Sequence, residues 1–516
     1  MVKFPSLRAC TLGGHPLIMP PNLLQGTTTM LRKASLPVAI SLALVSQSAF
    51  AEGYKLFEQS VSAAGNAYAG RGAQITDASL VYSNPAALTE LSGAQFSGGL
   101  NLIYATTRYQ DASAQSANGM PVTGRDSGKL TLSELVPFAF YSDHLSDDLS
   151  WGIGVYAPFG LSSNYQDDWV GRYFADETSI KVVAMQPTVA YKLNQAWSIG
   201  AGLSVNYAEG TLSKYKDHSG LCELGSNING LYGANVYNAA YCDSHYEVNG
   251  DDVAAGYNLG IHGDLGSTKL ALVYHSEVKY TLKGDSEITN TPITGANVAG
   301  NPNFIVVAPT LPAISLATGK LASNSYLSEQ SKLDLTTPAN LAFSVDQTLT
   351  DLLSVQASVN WTGWSSFESI DIVSDAAVQT ISLSTQLAQN LNKAGYIGYI
   401  PEHWQDTWSF SVGTTVKYNE QLTLKTGLAY DENPISGSHK TARVPTADRI
   451  WWTWGATWAV TAAQSVDLAY GYMWMNKVSI DEHEYNANGI RIYKSGVQAT
   501  YRNTAQILAV QWNYKF

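Results

Sequence analysis

Apolar and polar residues alternate with a period of two along much of the chain. In the final segment, single and mostly polar residues separate Leu508, Val510, Trp512, Tyr514 and Phe516. Successive side chains of a β-strand point to opposite faces, so this pattern predicts a strand with one apolar and one polar face. The same alternation recurs around residues 96–104, 183–193, 197–207, 353–361, 408–417, 450–460 and 466–474.

Short and long connections alternate between the predicted strands. Short turns lie at 145–149, 194–196, 263–267, 347–351, 419–421 and 461–464, and long loops near 109–130, 157–178, 208–250, 281–335, 363–405, 431–448 and 475–500. These connections join fourteen strands, and the strands end in aromatic residues. An even number of strands, short turns at one end, long loops at the other end and aromatic girdles are typical of a bacterial outer-membrane barrel. A soluble β-sandwich would have turns of similar length and an inner face rich in Val, Ile and Leu.

We therefore predict an all-β transmembrane protein, a fourteen-stranded antiparallel β-barrel over residues 93–516. A closed sheet pairs every backbone N–H and C=O group inside hydrocarbon, which an open sheet cannot do. The last strand must then pair with the first, and both ends of the barrel face the periplasm. Composition agrees, because only 14% of residues are charged while 11% are aromatic. After residue 51 no apolar run approaches the roughly 18 residues of a membrane helix.

The N-terminal 51 residues have the layout of an export signal. Arg32 and Lys33 precede an apolar run at 37–45, and Ala49-Phe50-Ala51 forms a cleavage site before Glu52. This pattern predicts a secretory signal peptide over about 30–51, with residues 1–29 as an upstream segment. A short membrane anchor is the alternative, although the apolar run is too short to span a bilayer.

Residues 52–92 precede the first strand and lack the alternation. They are rich in Gly, Ala and Ser. Eight strands fill a barrel with side chains and sixteen to eighteen leave a channel, so fourteen should leave a lumen that needs a plug. We predict that this segment is an N-terminal hatch inside the barrel. Within it, Asn84, Pro85 and Ala86 have the pattern of an Asn N-cap followed by Pro at the first helical position.

Charge and cysteine content exclude several classes of function. Removal of residues 1–51 deletes four basic residues and no acidic one, so the formal charge falls from −12 to −16, which disfavours nucleic-acid binding. Cys222 and Cys242 then remain, and in an exported chain they are candidates for a disulfide, with two free thiols as the alternative. No G-x-S-x-G elbow and no H-x-x-x-H pair occurs. We expect no enzyme activity, no metal site and no cofactor.

Several motifs resemble the FadL family of outer-membrane long-chain fatty-acid transporters, which also includes channels for aromatic hydrocarbons. They span the whole predicted mature chain: Gly53-Tyr54-Lys55-Leu56, Gly65-Asn66-Ala67-Tyr68-Ala69-Gly70, Asn84-Pro85-Ala86, Tyr274-His275-Ser276-Glu277-Val278-Lys279, Asp448-Arg449-Ile450-Trp451, Ser465-Val466-Asp467 and Tyr472-Met473. The resemblance implies a hatch-gated barrel in which ligand passes from an outer groove to an internal site near the mature N-terminus. It then leaves sideways into the membrane through a gap made by a kink in the third strand.

The resemblance also implies site residues. Tyr54 and Phe57 would contact ligand beside the mature N-terminus. Lys214 would be a basic contact, with a solvated loop lysine as the alternative. In the third strand, Pro158, Phe159 and Gly160 would form the kink, because Pro cannot donate to the ladder and Gly weakens it. The alternative is that these three residues start a loop.

The implied function is passive uptake of long-chain fatty acids, with neutral aromatic or aliphatic hydrocarbons as the alternative ligands. A second basic family position near Ile370-Asp371 is acidic here, which keeps the alternative open. The expected partners are the hydrophobic ligand, outer-membrane lipid and lipopolysaccharide, and the barrel-assembly machinery through the terminal Phe516. Apolar loop segments at 304–314 and 376–391 are candidate outer binding surfaces.

Overall fold

The computed structural model describes residues 53–117, 119–218, 243–292, 295–306, 313–317, 323–324, 327–375, 395–486 and 488–516. None of the helices in these ranges has the length and hydrophobicity of a transmembrane span. The predicted signal peptide, Cys222, Cys242 and the 376–391 segment lie outside the described residues.

The described residues form a closed antiparallel barrel of fourteen strands, and five of these strands are each interrupted once. The strands are β1 Gln95–Gln115, β2 Gly128–His144, β3 Leu149–Asn164, β4 Glu177–Lys192, β5 Trp197–Asp217, β6 Asp243–Asp264, β7 Thr268–His275 with Val278–Thr289, β8 Leu327–Thr337 with Asn340–Thr348, β9 Leu353–Thr362 with Ser369–Ser374, β10 Tyr396–Pro401 with Thr407–Lys417, β11 Leu422–Asp431, β12 Arg449–Ala459, β13 Gln464–Met475 with Val478–Tyr485, and β14 Arg491–Lys515.

The barrel closes between its first and last strands, as predicted. β1 pairs with β14 from Gln95 opposite Lys515 to Gln115 opposite Gly496. On β14 the alternating residues Leu508, Val510 and Trp512 point outward and are 59%, 43% and 44% exposed, while Gln511 between them is fully buried. The apolar stripe therefore faces lipid, and the predicted strand faces and barrel closure are confirmed.

The hatch precedes β1 and lies in the lumen. Its helical elements are α1 Val61–Ala64, α2 Leu80–Ser83 and a 3₁₀-helix at Pro85–Glu90. Asn84 caps the 3₁₀-helix, because its side-chain oxygen accepts the Ala86 N–H at 3.1 Å and Pro85 occupies the first helical position. Further 3₁₀ turns at Gly295–Val298, Trp364–Ser366 and Gly437–His439 lie between strands or strand segments.

The strands extend further toward the long-loop end than the sequence pattern predicts. β1 continues to Gln115 and β6 begins at Asp243, within segments that the pattern indicates as loops. Two short bridges, Phe304–Ile305 with Ile314–Ser315 and Thr291–Pro292 with Ser323–Asn324, lie between β7 and β8. The outer half of the lumen is consequently lined by strands and can enclose a cavity.

Candidate functional site

The third strand is distorted at the predicted kink. Its pairing with β4 shifts by one residue between Tyr156 and Phe159, which lie opposite Ala184 and Val182. Ala157 and Pro158 are absent from this ladder, while pairing continues as far as Asn164. The stretch therefore lies within a long strand and does not start a loop.

The second and third strands separate at the same level. β2 pairs with β3 only from His144 opposite Ser150 to Ala139 opposite Val155, although both strands continue further. The start of the hatch lies against β3 just beyond this point: Leu56 N–H donates to Pro158 O at 2.9 Å and Gly160 N–H donates to Tyr54 O at 2.8 Å. Hatch residues 54–56 thus supply main-chain partners for the kinked part of β3, where β2 supplies none.

An inner cavity adjoins this segment. It contains about 660 Å³ of atom-free space, part of it open to solvent, and Tyr54 is one of its lining residues. The Tyr54 hydroxyl donates to Thr336 O at 2.9 Å, and its ring is surrounded by aromatic residues. The ring centroids lie 4.7 Å from Trp364, 5.6 Å from Phe367, 5.7 Å from Trp404 and 5.8 Å from Phe159.

Interruptions of the barrel wall provide three of these rings. Trp364 and Phe367 come from the break within β9, and Trp404 from the break within β10. The remaining lining is largely aliphatic, and these side chains come from β3, β4, β5, β6, β7, β8 and the loop after β11: Leu161, Ile180, Leu212, Val248, Leu282, Leu333, Leu335 and Val444. Such a surface favours an apolar ligand, because each methylene buried there contributes about 0.8 kcal/mol.

A buried carboxyl group and a buried guanidinium group also line the inner cavity, those of Glu402 and Arg443. Burial raises the pKa of Glu402 to about 8, although its carboxylate accepts the Trp404 indole N–H at 2.8 Å. Burial also lowers the pKa of Arg443 from its ordinary value. At neutral pH the Glu402 carboxyl is therefore mostly protonated. The Arg443 guanidinium remains charged, as arginine does throughout folded proteins.

A second, outer cavity lies on the long-loop side. It contains about 1570 Å³ of atom-free space, part of it open to solvent, and Lys214 and Lys216 from β5 are among its lining residues. Lys214 Nζ forms an ion pair with Glu484 at 3.0 Å, and its side chain is 30% exposed. Lys214 therefore lies on a cavity wall and is not a freely solvated loop residue.

The structure does not bring the predicted ligand contacts together in one cavity. Tyr54 lines the inner cavity and Lys214 the outer one. Phe57 lies in a third, smaller cavity with Tyr68, and the centroids of these two rings are 5.6 Å apart. Asn84 is placed on the short-turn side, where its amide donates to Gly72 O at 2.8 Å and Ile261 O at 3.3 Å, so its role is to fix the hatch.

The candidate site residues that sequence reasoning missed are Trp364, Trp404, Glu402 and Arg443. The aromatic pair could have been suspected, because tryptophan is unusual in a predicted outer loop, whereas nothing near Glu402 or Arg443 in the sequence marks them as buried. Among the described residues no group of three or more His, Cys, Asp or Glu side chains could hold a metal ion.

A closed barrel with a plugged lumen and apolar internal cavities defines an outer-membrane channel for hydrophobic compounds. Residues 42–516 match the model of the outer membrane protein transport protein family, OMPP1/FadL/TodX. The chain belongs to this family, whose members are transporters and channels of the outer membrane that carry fatty acids or other hydrophobic compounds.

Similar sequences include a fatty acid transport protein and an outer membrane protein whose name gives no ligand. The long-chain fatty acid transport protein of Escherichia coli K12 is 27% identical over 469 residues, covering 89% of this chain and 95% of the relative. An outer membrane protein of Neisseria meningitidis serogroup B is 28% identical over 499 residues, covering 95% of this chain and 100% of the relative.

Solved structures support the fold. A Pseudomonas aeruginosa FadL homologue has a TM-score of 0.73 at 22% identity, covering 90% of this chain and 100% of that one. The Pseudomonas putida toluene transporter TodX has a TM-score of 0.58 at 16% identity, covering 88% and 98%.

Proposed function

We propose that this protein takes up long-chain fatty acids passively across the outer membrane, by a lateral route that the start of the hatch gates. One observation carries the proposal: the aromatic-lined inner cavity lies beside Tyr54, and the hatch segment beginning there pairs with β3 where β2 has left it. A ligand that displaced this segment would have a path from the cavity to the gap between β2 and β3.

The direction of exit follows from the solubility of the ligand. A fatty acid gains about 0.8 kcal/mol for each methylene moved from water into an apolar environment, so a water-filled pore is an unfavourable route. A gap in the barrel wall leads instead to hydrocarbon, where the chain remains desolvated. The charge of Arg443 at the cavity favours a carboxylate head group over a neutral one.

Neutral hydrocarbons are the second candidate ligands. The lining of the inner cavity is largely apolar, and a toluene transporter has the same fold. Comparing uptake of oleate and toluene by a deletion strain with and without the protein tests both candidates. We expect the protein to accelerate oleate uptake more than toluene uptake; equal rates with and without the folded protein for both compounds would remove the transport role.

The lateral route has its own test in β3. Deletion of Pro158 removes the one extra residue of the kink, so that Tyr156 and Phe159 would again match Ala184 and Val182 on β4. We expect oleate uptake to fall about tenfold or more while the barrel still assembles, because a regular strand closes the wall.

The matched control is Pro187→Ala on β4, which removes an exposed proline away from the gap. It should leave uptake unchanged. Normal oleate uptake by the folded Pro158 deletion would rule out the kink as the exit.

A further inference from the structure

The loop between β11 and β12, residues 432–448, enters the lumen and separates the inner cavity from the outer one. We call it the partition loop. Ile435, Ala442 and Val444 in it are each at most 5% exposed. Val444 lines the inner cavity, Thr441 lines the outer cavity, and Arg443 between them lines both.

Arg443 is held in this position by neutral acceptors. Its Nη1 donates to Glu177 O at 3.1 Å and Thr178 Oγ1 at 3.0 Å, and its Nη2 donates to Ser213 O at 3.0 Å. Within the described ranges its Nε is buried without a hydrogen-bond partner, and no carboxylate oxygen lies within 4 Å of the guanidinium.

Two carboxyl groups line the same cavities, and in the described part of the chain neither forms an ion pair with Arg443. Glu402, in the inner cavity, keeps its proton at neutral pH because burial raises its pKa to about 8. Glu482, in the outer cavity, accepts the Ala442 N–H of the partition loop at 2.7 Å. A buried cation with an unused donor and no close anion is costly, so the site favours a ligand that brings the missing negative charge.

We propose that Arg443 is the carboxylate-recognition residue through which a long-chain monocarboxylate passes from the outer to the inner cavity. The guanidinium is reached from both cavities, so one residue can bind the head group on either side of the partition loop. Charge-assisted hydrogen bonds are about twice as strong as neutral ones, so an arriving carboxylate competes well with the carbonyl oxygens of Glu177 and Ser213. The unpaired Nε offers a further donor, and a guanidinium can bind both carboxylate oxygens at once. This inference rests on the proposed function and specifies its ligand class.

The test compares oleate with oleyl alcohol, which has the same chain but a hydroxyl in place of the carboxylate. Binding of each to the purified full-length barrel is measured for the wild type and for Arg443→Met. We expect oleate affinity to fall about tenfold or more, as for loss of a hydrogen bond to a charged group, with oleyl alcohol affinity changed less than about twofold. Arg502→Met, which removes an exposed arginine on β14, is the matched control and should change neither.

An unchanged ratio of oleate to oleyl alcohol affinity in Arg443→Met, or an equal loss for both, would overturn the inference. Should the Met variant not assemble, Arg443→Gln removes the charge but keeps an amide donor at this position. The same loss of preference is expected of it, and its absence contradicts the inference equally. The uptake assay, in which a deletion strain is complemented with the wild-type protein, tests the proposed function independently of Arg443. Failure there removes the proposed function, whereas normal oleate uptake with an unaltered preference in the Arg443 variant removes only the role of Arg443.

Discussion

Two parts of the hatch are attached to the barrel in different ways. Its body, residues 60–91, is bound to strands around the wall: Val61 N–H donates to Gln511 on β14, Gly70 N–H to Ser358 on β9, and Lys425 on β11 donates to Ser62 O. Its leading segment, residues 54–59, pairs by main-chain bonds with the kink of β3.

The difference indicates which part can move. Displacing the body breaks buried hydrogen bonds on several strands at once, each worth about 0.5–1.5 kcal/mol. Displacing the leading segment breaks fewer bonds to the wall: two main-chain bonds and the Gln59 bond to β3, and one bond each to β8, β9 and β1, from the Tyr54 hydroxyl, the Lys55 ammonium group and the Glu58 carbonyl group. A ligand that binds in the inner cavity can offset the smaller loss. We therefore propose that the body plugs the barrel and that the leading segment gates it.

The largest expected effect comes from dislodging the body. Gly427 on β11 contacts the hatch backbone, and a Cβ there would collide with the Asn66 backbone and lie 2.8 Å from Ala67 N. Gly427→Ala should destabilise the barrel by about 1–3 kcal/mol and produce steady open channels in planar bilayers. Gly471→Ala on β13, where the nearest neighbour is a side-chain methyl group at 3.3 Å, should remain closed. Equal conductance of the two variants would contradict docking at this wall.

Loosening only the leading segment should act differently. The Gln59 amide donates to Leu56 O at 3.0 Å and to Ala157 O at 2.8 Å, which ties the segment to β3. Gln59→Ala removes both bonds, together with the bond that Gln59 Oε1 accepts from Arg71 Nη2 at 2.9 Å, and about 1–3 kcal/mol of restraint. We expect oleate uptake to rise severalfold without steady conductance. A large open channel in this variant would show that the two parts of the hatch are not independent.

A pH effect is expected at the inner cavity. Burial raises the pKa of Glu402 to about 8, so its carboxyl is protonated at pH 7 and ionises as the pH rises through 8. The new negative charge beside the inner cavity should then weaken oleate binding about tenfold by pH 9. The stability that the protonated carboxyl contributes is lost at lower pH, between its ordinary pKa of 4.5 and about 8, and changes little above that. Glu402→Gln should remove this pH dependence, which titration of oleate affinity between pH 6 and 9 measures. Persistence of the same profile in the variant would assign it to another group.

The smallest effect is expected at Lys214 in the outer cavity. Its side chain is 30% exposed and already paired with Glu484, and such pairs contribute about 0.2–1 kcal/mol. Lys214→Ala should therefore lower oleate affinity less than about fivefold and leave oleyl alcohol affinity unchanged. An equal reduction for both ligands would show that the charge is not the determinant.

The sequence pattern predicts the membrane-facing part of the molecule well. There, lipid outside and polar hatch contacts inside enforce alternation, so that on β14 Val510 faces outward and Gln511 faces inward. Toward the long-loop end the environment reverses: on β1, Arg108 is exposed and Tyr109 is buried. Because the apolar stripe changes face there, the alternation breaks, and the sequence pattern indicates loops where the strands continue.

The site could be predicted only in part. The kink followed from the local chemistry of proline and glycine together with the family resemblance, because backbone geometry is set by neighbouring residues. Arg443 and Glu402 could not be found, since their burial depends on the partition loop and on strand interruptions that meet only in the folded barrel. Burial of a charged side chain has no signature in a single loop sequence.

The most direct test of gating by the leading segment is a reversible crosslink. Lys55 and Phe159 are antiparallel partners between the hatch and β3, and the bonds flanking them make them a non-hydrogen-bonded pair. The Cα atoms of such a pair lie about 4.5 Å apart, within the range of a disulfide. Oleate uptake by the double variant Lys55→Cys, Phe159→Cys should be blocked when oxidised and restored by reduction, while the wild type treated in the same way stays active. Undiminished oleate uptake through the fully crosslinked barrel would contradict gating by the leading segment.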